Sequence, residues 1–109
     1  MRDERSSLIV EEISKYMPYE EFVRIQERLA ELRREEEKKL QALAELQKTY
    51  VSANTDSERD YVKQMVGKIR DLSKAERQEI RLLNQEIAKH MTLEQANDFF
   101  QRLLQARKA

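Results

Sequence analysis

A chain of 109 residues makes about one ordinary domain, and with 39% charged residues, 39% apolar ones, one glycine and one proline its turns must be few and its helices long. Basic and acidic residues number 21 each, so the whole molecule has no field that would draw it to nucleic acid or to an anionic membrane. The absence of cysteine excludes disulfides, thiol catalysis and thiolate-held zinc.

No apolar run approaches the ~20 residues that cross a bilayer, and the opening "MRDERSSLIVEE" has too short an apolar stretch for a secretory signal. A cytoplasmic protein without a membrane partner is expected. The first helix, over about 7–16, takes Ser6 or Ser7 as a cap and sets Leu8, Ile9, Ile13, Tyr16 and Met17 at roughly helical spacing. Pro18 disfavours helical geometry at Met17 but suits the first position of a new helix, where Glu20 and Glu21 complement the dipole. The chain therefore turns a corner and starts a helix over about 18–52, roughly 50 Å long at 1.5 Å per residue. Its Phe22, Ile25, Leu29, Leu32, Leu43, Leu46 and Tyr50 step by threes and fours.

A turn at about 53–56 follows, with Asn54 suited to a tight conformation and Thr55-x-x-Glu58 matching a capping box. The third helix, over about 57–90, carries Tyr61, Val62, Met65, Ile69, Leu72, Ile80, Leu83 and Ile87 as one apolar seam. Two long helices joined by a tight turn form an antiparallel hairpin, and Gly67 with Ala44 opposite is expected to mark their closest approach. Thr92-x-x-Gln95 is a second capping box and opens a fourth helix over about 92–107. The expected fold is all-α: one domain, a long coiled-coil-like hairpin flanked by a short N-terminal and a short C-terminal helix, assembling as a dimeric helical bundle. In one solution the short helices fold back at the open end to give a four-helix head; in another, a second chain covers the hairpin.

Residues 11–29 and 85–103 resemble one another, pairing Glu12 with Glu86, Ile13 with Ile87, Lys15 with Lys89, Met17 with Met91, Glu20 with Glu94, Arg28 with Arg102 and Leu29 with Leu103. Both stretches straddle a helix–corner–helix, so the repeat marks either a shared corner or chance matching in a chain rich in Glu, Lys, Arg and Leu. Midway along the hairpin, "RREEEKK" at 33–39 puts Glu36 and Lys39 where a heptad wants apolar residues, facing "LSKAERQ" at 72–78. Such a stretch is either a solvated, salt-bridged zone or a buried polar layer that fixes register or admits a partner.

Catalytic, cofactor and metal sites are not expected. The lone His90 has neither a second histidine nor a serine partner, and Glu86 four residues before it makes only a weak ligand pair. An apolar face wider than one groove needs runs along the last helix, so Phe99, Phe100, Leu103 and Leu104, with Tyr16 and Met17, are the candidate contacts for a protein partner or a second copy. The expected function is a non-enzymatic protein–protein interaction module, such as a small adaptor, an export or assembly chaperone, or an anti-regulator. The alternative is a nucleic-acid-associated dimer using Lys63, Arg70, Lys74, Arg77 and Arg81, a stripe on the third helix that could track phosphates. Glu76 and Glu79 lie beside that stripe, and no aromatic residue on it offers base stacking. In layout alone, the long antiparallel pair with an apolar end helix resembles the small helical chaperones of flagellar and type III export, and the resemblance transfers no residue role.

Overall fold

The structure, a computed structural model, describes residues 4–108. Four helices make it up: α1 (Glu4–Ser14), α2 (Tyr19–Ser52), α3 (Asp56–Ala88) and α4 (Leu93–Lys108), and among the described residues there is no strand. Helices α2 and α3 pack against each other as the expected hairpin. Helix α1 already runs at Glu4, so Ser6 and Ser7 lie within it rather than at its cap. It ends at Ser14, ahead of Tyr16 and Met17, whose amides turn back to the Ile13 carbonyl. The chain divides into two compact units, a terminal unit up to Leu29 and from Arg81 onward, and a hairpin unit over 30–80.

In the terminal unit the core is Ile13, Met17, Phe22, Ile25 and Leu29 from one half of the chain, and Ile87, Met91, Phe99, Phe100 and Leu103 from the other, all buried. Helix α1 packs on α4. The sequence repeat corresponds to two matching corners. At the first, the Tyr16 and Met17 amides donate to the Ile13 carbonyl at 2.9 and 3.1 Å; at the second, the His90 and Met91 amides donate to the Ile87 carbonyl at 2.9 and 3.0 Å. Just beyond each corner, Phe22 N–H reaches the Pro18 carbonyl and Ala96 N–H the Thr92 carbonyl, both at 3.0 Å. Each corner buries its Ile and its Met and places a glutamate, Glu20 or Glu94, in the first turn of the next helix. These identities thus have a shared structural reason: the paired Ile and Met fill the core, the glutamate meets the positive helix end, and Leu29 and Leu103 are both buried.

The hairpin unit turns at 53–55. Glu58 N–H donates to Thr55 Oγ1 at 3.2 Å and Asn54 N–H donates to Glu58 Oε2 at 3.1 Å, so the capping box reaches one residue further back than its usual form. The Arg59 guanidinium closes the turn from the other side by donating to the Ala53 carbonyl at 3.3 Å. The seam between the two helices follows alternate steps of four and three: Leu32, Glu36, Lys39, Leu43 and Leu46 on α2 are buried or half-buried, as are Val62, Val66, Ile69, Ser73, Glu76 and Ile80 on α3. Tyr61 and Leu72, expected in that seam, are instead 59% and 57% exposed. Gly67 is not a close-approach point. A Cβ at this position would meet nothing within 4 Å, and both Gly67 and Ala44 face solvent.

Candidate functional site

Among the described residues, no group of three or more His, Asp or Glu side chains is placed to hold a metal ion, and His90 sits exposed at the second corner. Among the described residues, no helix is long and apolar enough to cross a membrane. What the structure offers is surface, and each unit carries its own.

In the terminal unit, Phe99 is the centre of an aromatic group. Its ring centroid lies 6.0 Å from that of Tyr16 and 6.5 Å from that of Phe22, the latter edge-on at 83°. The Arg102 guanidinium sits 5.0 Å above the same ring, a cation–π arrangement, and pairs at 3.1 Å with Glu12 of α1 and with Asp98 of its own helix. Of the candidate partner contacts, Met17, Phe99, Phe100 and Leu103 are therefore buried in this chain's own core, Leu104 is half-buried and Tyr16 is 42% exposed. Between α1 and α4 lies a shallow cleft of about 370 Å³, floored by Ile9 and Ala106 and edged by Leu8, which is 62% exposed and stands outside the expected partner face.

In the hairpin unit, the basic candidates Lys63, Arg70, Lys74 and Arg77 are all exposed on α3; Arg81, also exposed, belongs to the terminal unit. Lys63 and Arg70 edge an open cleft of about 540 Å³ whose floor is apolar, formed by Leu43, Tyr50, Val62 and Val66, and into which Gly67 projects no side chain.

That cleft fixes which faces of the two helices share a side. Stepping one residue past each seam position on α2 gives Arg33, Glu37, Leu40, Ala44 and Gln47, with Val51 continuing the same spacing toward the turn; the same step on α3 gives, within the hairpin unit, Lys63, Gly67, Arg70, Lys74 and Arg77. Gln47 from the first strip and Lys63, Gly67 and Arg70 from the second line one cleft, so the two strips flank the same side of the hairpin. One residue before each seam position lie Glu31, Glu35, Lys38, Ala42 and Glu45 on α2, and Tyr61, Met65, Lys68, Leu72, Ala75 and Glu79 on α3. These flank the opposite side. Toward the turn, one side therefore joins the apolar Leu40, Ala44 and Val51 of α2, interrupted by Gln47, to a basic α3, with Arg33 and Glu37 lying further from the turn; the other joins a mostly acidic α2 to the apolar Tyr61, Met65, Leu72 and Ala75 of α3, interrupted by Lys68.

The exposures along the apolar strips are large. Leu40 is 67% exposed and Val51 79%, against 59% for Tyr61 and 57% for Leu72. No family model, curated protein or solved structure matches the chain.

Proposed function

We propose that the protein is a non-enzymatic helical interaction module acting in the cytoplasm, an adaptor, assembly chaperone or anti-regulator whose hairpin takes up other helices along its open sides. The observation that supports this reading is the second apolar strip on each long helix. A hairpin needs one seam per helix to hold together, and isolated surface leucines need no explanation. Leu40, Ala44 and Val51 on α2, and Tyr61, Met65, Leu72 and Ala75 on α3, recur at heptad spacing outside that seam, which is the signature of helices built to contact more than one neighbour.

The test is a photo-reactive amino acid placed at position 72, with a second variant carrying it at Ser57, which is exposed at the start of α3. In cells expressing the protein, position 72 should give a discrete cross-linked species and position 57 none. Absence of any adduct at 72, with the fold intact by circular dichroism, would remove the reading.

The exposed row Lys63, Arg70, Lys74 and Arg77 favours a second reading, contact with nucleic acid phosphates. It predicts association with a short DNA duplex that fades as salt rises and disappears in the Arg70→Glu, Arg77→Glu double variant. Affinity unchanged in that variant would exclude it.

A further inference from the structure

The two sides of the hairpin unit are unlike in a way that suits each other. On the first, the apolar residues Leu40, Ala44 and Val51 stand on α2 beside the cations Lys63, Arg70, Lys74 and Arg77 on α3. On the second, the apolar residues Tyr61, Met65, Leu72 and Ala75 stand on α3 beside Glu31, Glu35 and Glu45 on α2, with Lys38 as the one cation in that α2 strip. On the second side, Glu35 and Glu45 make weak local pairs, Glu35–Lys38 at 3.5 Å and Glu45–Lys48 at 3.4 Å, with the Glu35 side chain 44% and the Glu45 side chain 74% exposed.

We infer that the hairpin stacks on a second copy of itself first side to second side, α2 of one copy lying on α3 of the next. This rests on the reading of the strips as interaction surfaces and names their occupant. The stack requires the neighbour to be turned end for end, so that its turn lies at the other end of the contact. Apolar then meets apolar along one helix pair, and the Lys and Arg row meets the glutamates along the other.

Charge decides against the symmetric alternatives. A two-fold contact of the first side with itself sets the cationic row either on its own copy or on the bare Leu40–Val51 strip. A two-fold contact of the second side sets glutamates on glutamates or on the Tyr61–Leu72 strip. Only unlike sides match both apolar area and charge. Such a contact is heterologous: each copy that joins leaves one side of each kind open, and growth continues with concentration. Gly67, in the middle of the first side with open space where a side chain would stand, lets a neighbouring helix come close there.

Sedimentation velocity of the purified protein over a concentration series tests this. The wild type should form species beyond a dimer as concentration rises, shrinking as salt is added. Two variants each close one side: Leu40→Glu with Val51→Glu on the first, and Leu72→Glu on the second. All three positions are more than half exposed, so the helices should persist, as circular dichroism will show. Each variant alone should stay monomeric, since its remaining side has no mate, and a mixture of the two should yield a 1:1 heterodimer and nothing larger; a dimer of one variant with itself would be a symmetric contact and overturns the inference. If one variant loses association and the other keeps the wild-type distribution, the contact is symmetric and the inference is overturned. A wild type that stays monomeric overturns it too; the cross-linking at position 72 then separates the cases, since an adduct with another protein keeps the interaction reading and no adduct removes both. A monomer that instead co-sediments with a duplex overturns the stack and assigns the basic row to nucleic acid.

Discussion

Lys39 of α2 and Glu76 of α3 form an ion pair inside the hairpin seam, with side chains only 13% and 19% exposed. Glu76 Oε1 meets the ammonium, while Oε2 is buried with no hydrogen-bond partner. Taking two charges out of water costs several kcal/mol each, and one pair with a spare acceptor recovers that incompletely. The single change Lys39→Leu should thus destabilise by about 3 kcal/mol, because it strands a covered carboxylate. The double change Lys39→Leu, Glu76→Leu should be neutral or stabilising by ~1 kcal/mol or more. Urea denaturation of the wild type, both single variants and the double one closes the cycle, and an equal loss in single and double variants would show that the pair itself stabilises the fold.

Gly67 stands in mid-helix with an ordinary negative φ, and a Cβ added there would have no atom within 4 Å. Gly67→Ala should then stabilise the monomer by about 0.5–1 kcal/mol through helix propensity and a less flexible unfolded chain. Denaturation at a concentration where association is negligible reads this, and a loss of stability there would mean that the added methyl meets a neighbour. The same variant should weaken stacking, which separates its two effects.

Thr92 caps α4 in both directions: Gln95 N–H donates to its Oγ1 at 3.0 Å, and its own N–H donates to Gln95 Oε1 at 3.0 Å. Thr92→Ala should lower stability by ~1 kcal/mol. Thr92→Ser should recover most of it, since the hydroxyl and not the methyl makes the bond. Thermal melts of both variants check this, and equal losses would point to packing.

Phe99 touches Tyr16, Phe22 and Arg102 from a buried position. Phe99→Ala should cost about 3–5 kcal/mol, as large-to-small changes in a closed core do. Hydrogen exchange should show the loss in α1 and α4 amides. Were Phe99→Ala to leave stability unchanged, the ring would be a surface feature free to serve a partner.

Local signals are readable wherever one residue type has one structural use. Pro18 after Met17, Thr55 with Glu58 and Thr92 with Gln95 each mark a helix start, and each helix begins within a residue of them. The repeated Ile and Met likewise locate both corners. The two apolar strips on α3 are not separable in the same way. They are offset by a single residue and both step by threes and fours, so Tyr61 and Leu72 are indistinguishable from Val62 and Ile69 until α2 is in place. The true seam is also interrupted by Ser73 and Glu76 just where the outer strip offers Leu72 and Ala75, which pulls an apolar pattern onto the wrong face. Gly67 misleads for a related reason, since a small residue suits a close contact and open space equally. On α4 the width of the apolar face is legible, but not that α1 and the start of α2 cover most of it, because that depends on contacts between residues far apart in the chain.

The terminal unit draws on both ends of the sequence, up to Leu29 and from Arg81 onward, while the hairpin unit is continuous. On the ribosome this imposes an order. At ~5–20 residues per second, the ~50 intervening residues take roughly 3–10 s to emerge, during which the apolar faces around Ile13 and Phe22 have no mates. The hairpin can zip meanwhile from its Thr55 turn. Newly made chains thus expose both the early apolar segment and the open hairpin sides together, so polysomes translating this message are where premature association between neighbouring nascent chains should be sought.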